Sequence, residues 1–205
     1  MSTHDQPESV EQLIERLSRV AHHAADLPFL EFDDSPLGLI SREFFANNWA
    51  ECCDGLLQRT HRVRVIPEPS PAPRMFRFEI DRPYKSKRAE DAPTELLPGP
   101  IRGTIHYRPD LFINPEGPHI AVQIDPDLAF FHPNCSRQRG SLVCLGALPD
   151  NLFPFPLDML IETRLYPILT YQDRQPSHPF DLQAAAYFAL DPQAMDGLEP
   201  VEPLY

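Results

Sequence analysis

The chain has 205 residues, 42% of them apolar, enough for one domain with a substantial core. Its formal charge of −12 argues against nucleic acid and against an anionic membrane surface, because no basic stripe exists to displace counterions. Such a balance suits docking on a basic protein surface, or simply a solvated acidic shell.

In chain order, residues 8–25 come first, with Val10, Leu13, Ile14, Leu17, Val20 and Ala21 at helical spacing, which predicts an amphipathic helix. Residues 26–40 are punctuated by Asp, Pro and Gly and read as a linker. Ser41 is suited to cap a second helix reaching about Gln58, with Phe44, Phe45, Trp49, Cys52, Cys53, Leu56 and Leu57 as its apolar set. The pattern then changes to period two. Residues 61–66 and 75–80 alternate and predict two paired strands, joined by a proline-rich connector. Residues 83–100 are charged and Pro-rich and read as a mobile loop. Two more strands are expected near Ile101–Tyr107 and His119–Ile124, which together give an antiparallel meander of four. Pro156 suits the first turn of a helix to about Tyr171, with Leu157, Leu160, Ile161, Leu165, Ile168 and Leu169 buried and a kink at Pro167. A last helix spans Asp181–Leu190, with Ala184, Ala185 and Ala186 as its small stripe. The fold class is α+β.

Several bulk features bear on chemistry. The apolar runs are too short to span a bilayer, and the first residues have no basic, apolar signal pattern. This implies a cytoplasmic protein, in which Cys52, Cys53, Cys135 and Cys144 default to thiols. Only Lys85 and Lys87 are lysines, against sixteen arginines. A genome rich in G and C accounts for that bias, and avoidance of amines by an enzyme carrying an activated acyl group fits it too.

The segment richest in chemistry is Phe131-His132-Pro133-Asn134, followed by Gly140-Ser-Leu-Val-Cys144-Leu145. A nucleophilic thiol needs access and a thiolate fraction, and Cys144 lies in a turn-rich stretch that can provide access. Asn134 can donate its neutral amide to a developing oxyanion, an interaction that strengthens only in the transition state. The plainer alternatives are a buried core cysteine and a turn-forming asparagine. His132 and Pro133 are read as fixing the turn.

Residues Phe131–Phe188 resemble the catalytic core of ubiquitin-conjugating enzymes. Four features match in order: His132-Pro133-Asn134; Gly140-x-x-Val143-Cys144-Leu145; the Pro156 helix; and Pro176-x-x-Pro179-Phe180 leading into Leu182–Tyr187. The resemblance implies that family's fold, with N-terminal helices, a four-stranded antiparallel meander and C-terminal helices. It divides the chain into an extension and linker over 1–40, a catalytic domain over 41–197 and a disordered tail over 198–205. It implies that Cys144 accepts a ubiquitin-like protein as a thioester from an adenylating enzyme. Asn134 would support aminolysis by a target amine. No cofactor and no metal are implied. The position matching the family's acidic gate is His178, whose imidazole could take the amine proton, with Asp173 and Asp181 as nearby alternatives.

The departures from the family pattern are a gap from Asn134 to Cys144 two residues longer than usual, the missing Trp after the cysteine, and shortened last helices. They resemble bacterial relatives found in conjugation operons, several linked to antiviral defence. Two other readings stand beside the enzyme. One is a catalytically silent scaffold of the same fold that binds a ubiquitin-like protein. The other is a metal site using His132, Cys135, Cys144 and Cys52 or Cys53, whose ligand spacing is irregular.

Overall fold

A computed structural model describes residues 35–108, 111–112, 118–137, 141–148, 153–174, 176, 179–198 and 204. The helix expected over 8–25 lies outside the described residues.

The first described element, α1 (Pro36–Asp54), starts earlier than Ser41. Ser35 is its N-cap, accepting from the Gly38 N–H at 3.1 Å, and Pro36 occupies the first turn. Proline and glycine, which made this stretch look like a linker, are tolerated at a helix start, where the backbone N–H groups have no intrahelical partner. Ser41 is instead interior and donates back to the Leu37 carbonyl at 2.8 Å. The proposed boundary between residues 40 and 41 therefore falls inside a helix. Gly55 breaks the element before Gln58, and a short α2 (Leu56–Arg59) follows.

The four expected strands are present as β1 (Val63–Pro67), β2 (Met75–Ile80), β5 (Ile101–Tyr107) and β6 (Ile120–Ile124), antiparallel in the order β1-β2-β5-β6. Register stacks one buried face: Val63, Ile80 and Ile101 in one row, and Val65, Phe78, Gly103 and Ile124 in the next. Gly103 is required there, because a Cβ would meet the Gln123 carbonyl oxygen at 2.1 Å and the Phe78 ring at 2.7 Å.

The stretch 83–100 is not a loop throughout. It contains a two-stranded ribbon, β3 (Tyr84–Ser86) with β4 (Glu95–Leu97). Strands of three residues give too little alternation to detect. This ribbon is held by long-range partners, with the Lys87 N–H on the Ala129 carbonyl and the Phe131 N–H on the Lys85 carbonyl, both at 2.9 Å.

The Pro156 helix forms as α3 (Leu157–Leu160), one π-helical segment (Ile161–Leu165) and α4 (Tyr166–Leu169). Its six expected apolar positions are all buried. The π segment ends at Leu165, two residues before Pro167, which has no N–H to donate; the helix widens just ahead of the proline where a kink was expected. Asn48 on α1 accepts from the Leu157 N–H at 2.7 Å, tying the two helices together over the sheet. The last helix, α5 (Leu182–Leu190), is capped by Asp181 and buries Ala184 and Phe188, four residues apart, rather than three consecutive alanines. Leu204 is buried, and the rest of the expected tail past Leu198 lies outside the described residues. The result is a mixed α+β fold with a four-stranded antiparallel sheet and helices at both ends. Among the described residues no helix is long and apolar enough to cross a membrane.

Candidate active site

Two chain segments meet beyond the edge of the sheet. The first is Phe130–Cys135. It pairs with β3 through the Ser86–Phe130 bridge. Tyr171 closes it from behind, where its hydroxyl accepts from the Lys85 N–H at 2.8 Å and lies 3.3 Å from the Phe131 carbonyl. His132 is fully buried among the rings of Phe130, Tyr171 and Phe188. Its Nδ1 accepts from the Asn134 N–H at 3.0 Å, and the Cys135 N–H donates to the His132 carbonyl at 3.0 Å. Burial, with the Arg174 charge nearby, pushes the imidazole down to about 3. It is neutral, with its proton on Nε2, and Nε2 has no hydrogen-bond partner. A ring so placed holds a turn and does not shuttle protons. Pro133 offers its carbonyl to the N–H groups of Phe180 and Asp181, at 2.8 and 3.1 Å, which docks the start of α5 on the same turn.

The second segment is Ser141–Leu145. It extends the sheet beyond β6, with the Val143 N–H on the Val122 carbonyl at 2.8 Å and the Ile124 N–H on the Ser141 carbonyl at 2.9 Å. It also pairs with the first segment. The Cys144 N–H donates to the Asn134 carbonyl at 2.7 Å and the Ser136 N–H to the Leu142 carbonyl at 2.8 Å. These bonds flank the Cys135–Val143 bridge. Antiparallel pairing then sets Asn134 opposite Cys144, and side-chain alternation assigns Cys135 and Val143 to the other face. Burial agrees: Cys135 is 1% exposed, whereas Cys144 is half-buried. The Asn134 side-chain amide lies 3.4 Å from the Cys144 carbonyl oxygen, a long and weak bond, and its Oδ1 is buried with no partner.

The long gap between Asn134 and Cys144 therefore forms a hairpin whose ends are joined. Its far side is tethered by Arg137, which donates to Asp181 and, at 2.9 Å, to Gln183, and rests on the Phe131 ring at 4.9 Å.

Burial pushes the Cys144 thiol above its ordinary value. The Gly146 N–H directed at the sulfur lowers it, and the Asp173 carboxylate raises it further. The open side of the cysteine is Gly146 and Ala147, both exposed; a Cβ on Gly146 would meet nothing within 4 Å. Arg164, from the π-helical segment, holds this side by donating to the Ala147 carbonyl at 3.0 Å.

Of the three gate candidates, His178 lies outside the described residues. Asp181 is committed to capping α5 and to Arg137. Asp173 is exposed and acts on the thiol; its N–H is anchored on the Pro167 carbonyl at 3.1 Å, just past Tyr171 at φ 61°. Sequence reasoning missed Tyr171 and Arg137, whose partners are 86 and 44 residues away. For the metal alternative, the His132 Nδ1 is occupied and Cys135 is sealed. Among the described residues no group of three potential ligands could hold an ion. No family model matches the chain, and a search of curated proteins found no match.

Proposed function

We propose that the chain is a conjugating enzyme of the ubiquitin-conjugating type, which carries a ubiquitin-like protein as a thioester on Cys144 and passes it to an amine on a target. The observation that carries this reading is the paired Asn134–Cys144 geometry, a buried carboxamide held opposite a half-buried thiol. The order of elements supports it: helix, four-stranded meander, His-Pro-Asn turn, cysteine, then helices.

In this mechanism the thioester carbonyl sits beside Cys144 and the amine nitrogen attacks it. A C–N bond forms, and the oxygen takes up charge. The Asn134 Nδ2–H, only weakly engaged by the Cys144 carbonyl at rest, donates to that oxygen and stabilises it. The C–S bond then breaks and the pair leaves with the Cys144 sulfur. In this reading the Asp173 carboxylate, whose charge raises the thiol, takes the amine proton.

The test is incubation with a cognate activating enzyme, ATP and its ubiquitin-like protein. A reductant-sensitive adduct is expected, lost in Cys144→Ala and stable to reductant in Cys144→Ser. An adduct that persists in Cys144→Ala refutes the assignment. Tight binding of the ubiquitin-like protein without any adduct points to the silent scaffold instead.

A further inference from the structure

The chain has two lysines and sixteen arginines. Codon bias can explain that ratio, but not where the two lysines lie. Lys85 is in β3 and only 6% exposed; its Nζ donates to the Asp196 carbonyl at 2.8 Å, in the turn after α5. Lys87, two residues on, is partly buried, with its Nζ 5.6 Å from the centre of the Phe131 ring. Phe131 itself leads into the His132 turn. The Lys85 amine is therefore covered and bound to a carbonyl, and that of Lys87 rests near a ring. Every other basic side chain, histidine apart, is a guanidinium, which holds its charge and offers no free amine.

We infer that this chain is built to spare its own lysines: with the Lys85 and Lys87 side chains both held, neither Nζ captures the acyl group carried on Cys144. The inference rests on the transfer reading above. The reaction avoided is attack of a lysine Nζ on the thioester carbonyl, which would form an amide C–N bond, expel the Cys144 thiolate and release one proton. The product would be a permanently acylated carrier. An Nζ bound to a backbone carbonyl or drawn to a ring must leave that contact before it can reach and attack the thioester.

Two measurements on the full-length chain test this separately. In the first, brief treatment with the N-hydroxysuccinimide ester of acetic acid, read by peptide mass mapping, reports amine access without reference to catalysis. Acetylation of Lys85 and Lys87 is expected to be about tenfold or more slower than that of a lysine side chain in an unstructured reference peptide present in the same reaction. Equal rates overturn the inference.

In the second, the chain is mixed with the 2-mercaptoethanesulfonate thioester of glycylglycine, which can exchange onto Cys144. A hydroxylamine-sensitive acyl group on Cys144 is expected, with no stable amide on either lysine. The variant Ala147→Lys places an amine on the exposed side of the cysteine, three residues away, and is expected to convert the thioester to a stable amide at that position. A stable amide on Lys85 or Lys87 of the unaltered chain, or none in Ala147→Lys, overturns the inference. Absence of acyl transfer to Cys144 removes the transfer reading and this inference with it, whatever the acetylation rates are.

Discussion

The two segments that meet at residues 134 and 144 are built differently. On the asparagine side, successive backbone groups from Phe131 to Cys135 are tied, to β3, to the His132 ring, to α5 and to Tyr171. The residues are buried and hydrogen bonds converge from four parts of the fold. On the cysteine side, the backbone pairing ends at the thiol, although Leu145 and Leu148 still pack on the core. Gly146 and Ala147 are exposed, and one arginine holds the Ala147 carbonyl. Under the proposed transfer the difference is a division of labour. The donor would already be in place when charge develops, since reorganising it during the reaction would forfeit its contribution. The thiol side would admit and release a chain, which open surface serves.

The largest effect expected from disturbing this comparison is on the rigid side. Asn134→Ala should leave loading of Cys144 nearly intact but slow its discharge by about a hundredfold, the usual size of losing one oxyanion donor. Loading and discharge rates measured in single turnovers check this; an equal loss in both would make Asn134 purely structural.

His132→Ala should destabilise the fold by about 3 kcal/mol, because it empties a ring-lined site and strands the Asn134 N–H. A urea titration measures it. The same ring predicts a pH dependence. The His132 imidazole is held down to about 3 and that of His106 down to about 4, both by burial, while the unfolded chain protonates near 6.5. Stability is therefore complete above that unfolded value and falls as the pH drops toward the folded ones, by up to about 5 kcal/mol from His132 alone. Urea midpoints across this window should show the slope, and a flat profile would contradict neutral burial.

Tyr171→Phe should cost about 1–2 kcal/mol, since it leaves the Lys85 N–H buried without its acceptor. The smallest effect belongs to the open side. Asp173→Asn removes an exposed carboxylate that raises the thiol, so alkylation of Cys144 by iodoacetamide should quicken by about twofold at neutral pH, with the gain in thiolate partly offset by weaker nucleophilicity. No change would place Asp173 too far from the sulfur to act as a gate.

Much of this was legible in the chain. The four strands followed from alternation, the Pro156 helix from its apolar stripe, and the choice of Asn134 and Cys144 as candidates from residue types within ten positions of each other. What failed did so for nameable reasons. Pro36 and Gly38 looked like linker punctuation but sit in a helix start, where their defects cost little. The β3–β4 ribbon was hidden because its strands are three residues long and owe their order to Ala129 and Phe131, far along the chain.

By itself, the sequence determined the period of each long element and the chemical groups available at the turn, because periodicity and residue type are local properties. Only the tertiary structure decided which groups face one another. Pairing of residues 134–136 with 142–144 set the amide against the thiol and turned Cys135 inward, and packing of Tyr171 and α5 fixed the turn from behind. Those choices depend on hydrogen bonds and ring contacts between residues tens of positions apart, which no local pattern encodes.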